Sequence, residues 1–341
     1  MNRGAALIGA LLATLATPAT WPLALGTFLV RGGILLFALP VLALPSPVGI
    51  ANVLSPTVIA VALGTMTSGL AISLVAVGLA AAILLGFGGW LAAVLEAEGV
   101  RIIAADEDIR AIAGPVGAGR APNDDLGAGG PGGTAGRILA ARLVAYVPLG
   151  LAVVAGSFRL GSRAYGELTA PGDVGTPFVV RVLLGSPEVV IALVVTWMVG
   201  EILGAVAVRR IVLRGDTLSG SLRGALGVTV RHPLATLARF WLPTVALFAV
   251  IVPSMLAASA AWGAARAALA DLEDPADPVG VLGTVVVFVG LWLVGLVLAG
   301  VVSAWRAAVW TAAEMAGEGT FGASAGIRPG DWRNDRSSAT L

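Results

Sequence analysis

Glu201 stands inside an apolar stretch, Val189–Val208, that ends on Arg209, Arg210 and Arg214. Counted at 1.5 Å per residue from Arg209, it lies about 12 Å inside that basic boundary. A charge at such depth is costly in hydrocarbon unless paired or wetted, so it marks a functional position by default. Gly200 and Gly204 form a GxxxG step beside it. Trp197, Gly204 and Val208 share its stripe, which points the carboxylate at a packed helix and not at lipid. Arg31 lies nine residues past Pro22 in the first apolar stretch. Entering from the same side, it reaches nearly the depth of Glu201 and is its natural partner. Two chemistries fit the pair. One is a structural bond between helices one and four; the other is a gate or a proton- or substrate-linked site. Nothing else polar is read at that depth, which favours the structural bond.

The secondary candidates are weaker. Arg142 and Arg239 sit in the opening turns of their stretches, where a long side chain can snorkel to the headgroups. Tyr165, Glu167 and Asp173 occupy a polar connection and line an external pocket or stand solvated. His232, in the sequence RHPL, precedes an apolar stretch, the usual place of an interfacial or capping histidine.

The absences narrow the chemistry further. All 21 basic residues are arginine, His232 is the only histidine, and there is no cysteine. No lysine means no phosphate-loop lysine and no Schiff base. No cysteine means no disulfide and no thiolate nucleophile. One histidine makes neither a bis-His haem nor a His-based zinc site. The paired carboxylates, Asp106–Glu107–Asp108 and Asp124–Asp125, read as solvated charge. The expectation is a non-enzyme with no cofactor and no metal. A net charge of +1 gives no footprint for nucleic acid.

These residues must be positioned by membrane helices. Hydrophobic residues make up 57% and charged residues 12%, against about 25% charged in soluble domains. No charge occurs between Gly32 and Leu95, which is room for two spans of about 20 residues and a turn. The patterning predicts an all-α, six-span bundle over residues 21–316, with spans at about 21–44, 60–95, 138–158, 189–208, 234–262 and 278–305. Residues 1–20 read as an interfacial helix ahead of the first span, with a signal peptide over residues 3–20 as the alternative. Prolines at 40, 45 and 47 end span one, and Glu96 and Glu98 end span two. Pro148 predicts a kink in span three. Ser186, Pro187 and Glu188 read as a helix start, with a capping hydroxyl, proline in the first turn and an acid at the positive dipole end. Residues 97–136 read as a flexible insert, with a short amphipathic helix in RIIAADEDIRAI and a Gly/Pro-rich remainder. The tail 317–341 is polar.

The N-terminus, the two connections around 96–137 and 209–233, and the C-terminus carry 1, 4, 5 and 4 arginines. The opposite connections carry 0, 3 and 1. The positive-inside rule therefore places both termini in the cytoplasm. The Ala, Gly, Val and Arg bias is that of a GC-rich genome, and the expected location is a bacterial or archaeal plasma membrane.

The even spans end alike: GWLAAVLEAEG at 89–99, AWRAAVWTAAEMAGEG at 304–319 and, more loosely, TWMVGEILGAVAVRR at 196–210. The odd spans open alike in WPLALGTFLVRGG and HPLATLARFWLP. Three parallel helical hairpins would produce this echo. The Arg231–x–Pro233 start of span five and the Arg-rich exit from span four give the layout a resemblance to uncharacterised six-span bacterial membrane proteins grouped with the membrane domain of glycerophosphoryl diester phosphodiesterases. The phosphodiesterase barrel is absent from this chain, so the resemblance implies an architecture and no catalytic role.

The sequence thus supports a non-enzymatic scaffold, assembly factor or accessory subunit. The alternative is a transporter or permease subunit with its path at Glu201 and Arg31. The partners implied are the lipid bilayer and, beyond it, other membrane subunits or a cytoplasmic ATPase. A water-filled cavity reaching Glu201 would favour the transporter.

Overall fold

The computed structural model describes residues 3–42, 60, 63–65, 67–113, 130–170, 175–270 and 278–317. The described residues form helices α1 Arg3–Ala16, α2 Thr20–Ala38, α3 Ser68–Ala105, α4 Glu107–Ala113, α5 Gly130–Thr169, α6 Phe178–Leu184, α7 Pro187–Arg214, α8 Leu218–Arg231, α9 Pro233–Ala270 and α10 Pro278–Met315. Helices α2, α3, α5, α7, α9 and α10 are long and apolar enough to cross a membrane. The protein is an all-α, multi-pass helical bundle. Asp173, the expected turn at Pro45 and Pro47, the Gly/Pro-rich run 114–129, the acidic loop 271–277 and the tail from residue 318 lie outside the described residues.

Burial divides the bundle into two halves. In α7, Val190, Ile191, Val194 and Val195 are exposed, whereas most residues from Gly200 to Leu213 are buried. In α3, Ser68–Ile83 buries nothing, and Ala92–Ala104 packs. In α5, Ala135, Ile138 and Ala141 are buried while Leu151, Val154 and Phe158 are exposed. The C-terminal turns of α10, from Trp305 to Met315, join the same core. The packed end is rich in Ala, Gly and Val, whose small side chains let backbones approach. The other end turns large aliphatic side chains outward, as a lipid-facing surface requires. Helix α3 is 38 residues long, about 57 Å, against a hydrocarbon core of about 30 Å. Its packed end belongs to a lobe shared with α5, α7, α9 and α10.

Short helices complete this lobe. Helix α1 packs Ala6, Ala10 and Ala13 inward and leaves Ile8, Leu12 and Leu15 outward, the arrangement of a helix lying along an interface. Two tryptophans fix it: the Trp21 indole donates to the Thr14 carbonyl at 2.9 Å, and that of Trp305 to the Leu7 carbonyl at 3.0 Å.

Span two does not stop at Glu96. The helix runs on to Ala105 and α4 follows, so the helix expected in RIIAADEDIRAI is present as the continuation of α3 and a second short helix, with Val100, Ile103, Ala104 and Ile109 buried. Asp106 breaks the helix and caps α4, its carboxylate accepting from the Asp108 and Ile109 amides at 3.0 and 3.2 Å. Pro148, Pro243 and Pro253 lie within continuous helices. Pro187 and Glu188 open α7 as expected, but the Ser186 hydroxyl makes no capping bond.

Candidate functional site

The site begins with a break in α2. Within Leu29–Gly33 two helical segments meet at a kink, where Gly32 adopts φ +107°, a conformation that a side chain strongly disfavours. Below it, the Trp292 indole holds the Phe37 carbonyl at 2.8 Å, and Phe28 and Trp292 pack edge-on against Phe37. Arg31 projects from the kink and pairs with Glu96 of α3.

Glu96 is buried and saturated by arginine. Its second oxygen accepts from Arg142 of α5 at 2.6 Å and from Arg209 of α7 at 2.9 Å. Arg209 also donates to the Ala205 carbonyl at 3.0 Å. Glu201, on α7, accepts from the Tyr146 hydroxyl of α5 and from Arg306 of α10. Arg142 stands between the two carboxylates, with Nη1 4.0 Å from Glu201. Arg306 lies over the ring of Phe240 at 5.6 Å, a cation–π contact. Trp197 and Trp241 flank that ring edge-on at 5.5 Å each.

The GxxxG step explains how α5 delivers its polar side chains. A Cβ on Gly200 would lie 2.8 Å from the Tyr146 ring, and one on Gly204 would lie 2.6 Å from Arg142 Nη1. The two glycines thus form a groove that receives Tyr146 and Arg142 beside Glu201.

The cluster lines a cavity of about 390 Å³ bounded by α2, α3, α5, α7, α9 and α10. The cavity follows α2 from Thr20 to Leu36, about 24 Å of helix. Arg31, Glu96, Arg142, Glu201, Arg209 and Arg306 all reach it. Beyond them the walls become apolar at Leu36, Leu247, Phe248 and Ile251. Four guanidiniums face two carboxylates. Both carboxylates are occupied by cationic donors, so neither is available as a general base.

The pairing read from the sequence is replaced by another. Arg31 and Glu201 line one cavity, but their salt bridges run to Glu96 and Arg306 respectively. The reason is the continuation of α3, which carries Glu96 to the level of Arg31 instead of ending there. The depth is also far from empty of polar groups: Glu96, Arg142, Tyr146, Arg209 and Arg306 all share it. Arg142 does not snorkel; it is 8% exposed at the centre of the cluster. Arg239 stands elsewhere, at a small cleft with His232 and Glu314. Tyr165 is exposed, and Glu167 pairs with Arg181 at 3.0 Å and Arg163 at 3.1 Å near the far end of α5.

The sequence held a signal for the missed residues. The echoed tryptophans Trp90, Trp197 and Trp305 are each followed within six positions by Glu96, Glu201 or Arg306, and all three charges meet in the cluster. Arg209 and Arg306 were absorbed into the count of boundary arginines. Tyr146 carries no charge to draw notice. Comparison of the chain with protein-family models, curated proteins and solved structures gives no match.

Proposed function

We propose that the protein is a transporter or permease subunit whose binding site is the arginine-lined cavity. The observation that supports it is the cavity itself, which reaches both Glu96 and Glu201. A scaffold held by ion pairs would close around them, because a void lined by charge forfeits packing contacts and solvation together. The packed lobe is the cytoplasmic end in this reading, since α1, α8 and Arg210, Arg214, Arg223 and Arg231 gather there.

The absence of cysteine makes the test clean, since any introduced thiol reports alone. Thr27→Cys and Ser303→Cys place thiols on the cavity wall, and Ala207→Cys places one in the fully buried core. A membrane-impermeant methanethiosulfonate should label the first two and spare the third. Adding the reagent to intact cells or to inverted vesicles reports which face the cavity opens to. A folded protein that resists labelling at 27 and 303 from both faces would return the reading to a scaffold.

A further inference from the structure

We infer that the cavity binds an oxyanion of the phosphate class, as free phosphate or a phosphomonoester or as the headgroup of an anionic lipid. This rests on the cavity being a ligand site. Arg31, Arg142, Arg209 and Arg306 carry four positive charges into it, and Glu96 and Glu201 return two negative ones. The lining therefore keeps an excess of two positive charges. Arg31 and Arg306 stand 28% and 21% exposed at the cavity, so the surplus charge is open to an anion from outside the chain.

The donors identify its kind. Arg142 is 8% exposed and Arg209 3% exposed. Nε and Nη1 of Arg142 and Nε of Arg209 are buried without a hydrogen-bond acceptor and sealed from the cavity, so the N–H groups that meet a ligand are those of Arg31 and Arg306, 28% and 21% exposed, with the two buried charges behind them. A guanidinium presents a planar fork of N–H groups that matches the oxygens of phosphate bidentately. Halide ions offer no such set of directed acceptors. The apolar walls at Leu36, Phe248 and Ile251, beyond the arginines, suit either a small ester or an acyl chain attached to the same headgroup.

The test uses the full chain in zwitterionic nanodiscs. Inorganic phosphate is titrated by calorimetry and by tryptophan fluorescence, since Trp197 and Trp310 line the cavity. Chloride at equal ionic strength is the control. A parallel preparation contains phosphatidate, and native mass spectrometry reports the lipid retained. Saturable phosphate binding, weakened about tenfold by Arg31→Gln and unchanged by the surface variant Arg159→Gln, supports the inference with a soluble ligand. Retention of phosphatidate in place of free phosphate, lost in Arg31→Gln, supports it with a lipid. Glu201→Gln raises the positive excess and should tighten binding, a change that a merely structural role does not predict. Failure of the wild-type protein to bind either probe, or equal binding of chloride, overturns the inference. Phosphate binding without thiol labelling would leave the ligand standing and remove the transporter. Labelling without binding of either phosphate probe would do the reverse.

Discussion

Glu96 and Arg209 are 113 positions apart in the chain and meet at 2.9 Å in its interior. Arg142 reaches the same carboxylate oxygen at 2.6 Å, so one glutamate ties α3 to α5 and α7 at once. Its replacement leaves buried arginines facing one another. Glu96→Gln should destabilise the protein by about 3–5 kcal/mol, the range for breaking a buried pair. Glu98→Gln, two residues on and half exposed beside Arg101, should change stability by about 0–1 kcal/mol. Unfolding in mixed micelles compares them, and equal losses would show that Glu96 is solvated.

The pairing pattern can be read by double-mutant cycles. Arg31→Gln with Glu96→Gln should couple by about 0.5–3 kcal/mol, as residues in direct contact do. Arg31→Gln with Glu201→Gln should couple less, because Arg306 and Tyr146 are the partners of Glu201. A larger coupling for the second cycle would restore the pairing read from the sequence.

The glycine groove gives a sharper test of geometry. Gly204→Ala puts a methyl group 2.6 Å from Arg142 Nη1 and must push that side chain off its two carboxylates. The expected loss is about 1–3 kcal/mol, typical of overpacking. Gly227→Ala on α8 meets no neighbouring atom and should be neutral or slightly stabilising. Matching melting curves for the two variants would count against the groove.

The legibility of this chain follows from the physics of each signal. The six long apolar helices were open to reading, because hydrocarbon demands long uncharged runs and closed backbone bonding. Glu201 and Arg31 stand out equally, since both interrupt such runs. The end of span two was not. Glu96 closes a charge-free stretch, and a carboxylate there resembles a boundary unless the arginines that bury it are known. Those arginines come from α2, α5 and α7, and no local pattern fixes which helices adjoin. The positive-inside count treats arginines as surface charges, but Arg209 is buried and Arg306 half-buried in the lobe.

The last prediction concerns the kink of α2. Gly32 at φ +107° is the residue that lets the two helical segments meet at an angle with Arg31 toward Glu96. Space does not forbid a methyl group there, since a Cβ would meet nothing within 4 Å. The obstacle is the backbone alone. Gly32→Ala should therefore cost about 1–2 kcal/mol from the left-handed conformation, even though it touches no neighbour. If the helix relaxes to regular geometry to escape that strain, Arg31 rotates away from the cavity and loses Glu96. Phosphate or phosphatidate binding should then weaken as it does in Arg31→Gln. Gly78→Ala, in the exposed half of α3 and equally free of neighbours, is the matched control and should leave binding unchanged and stability unchanged or slightly raised. Stability and ligand binding unaltered by Gly32→Ala would show that Arg31 does not depend on the kink for its position.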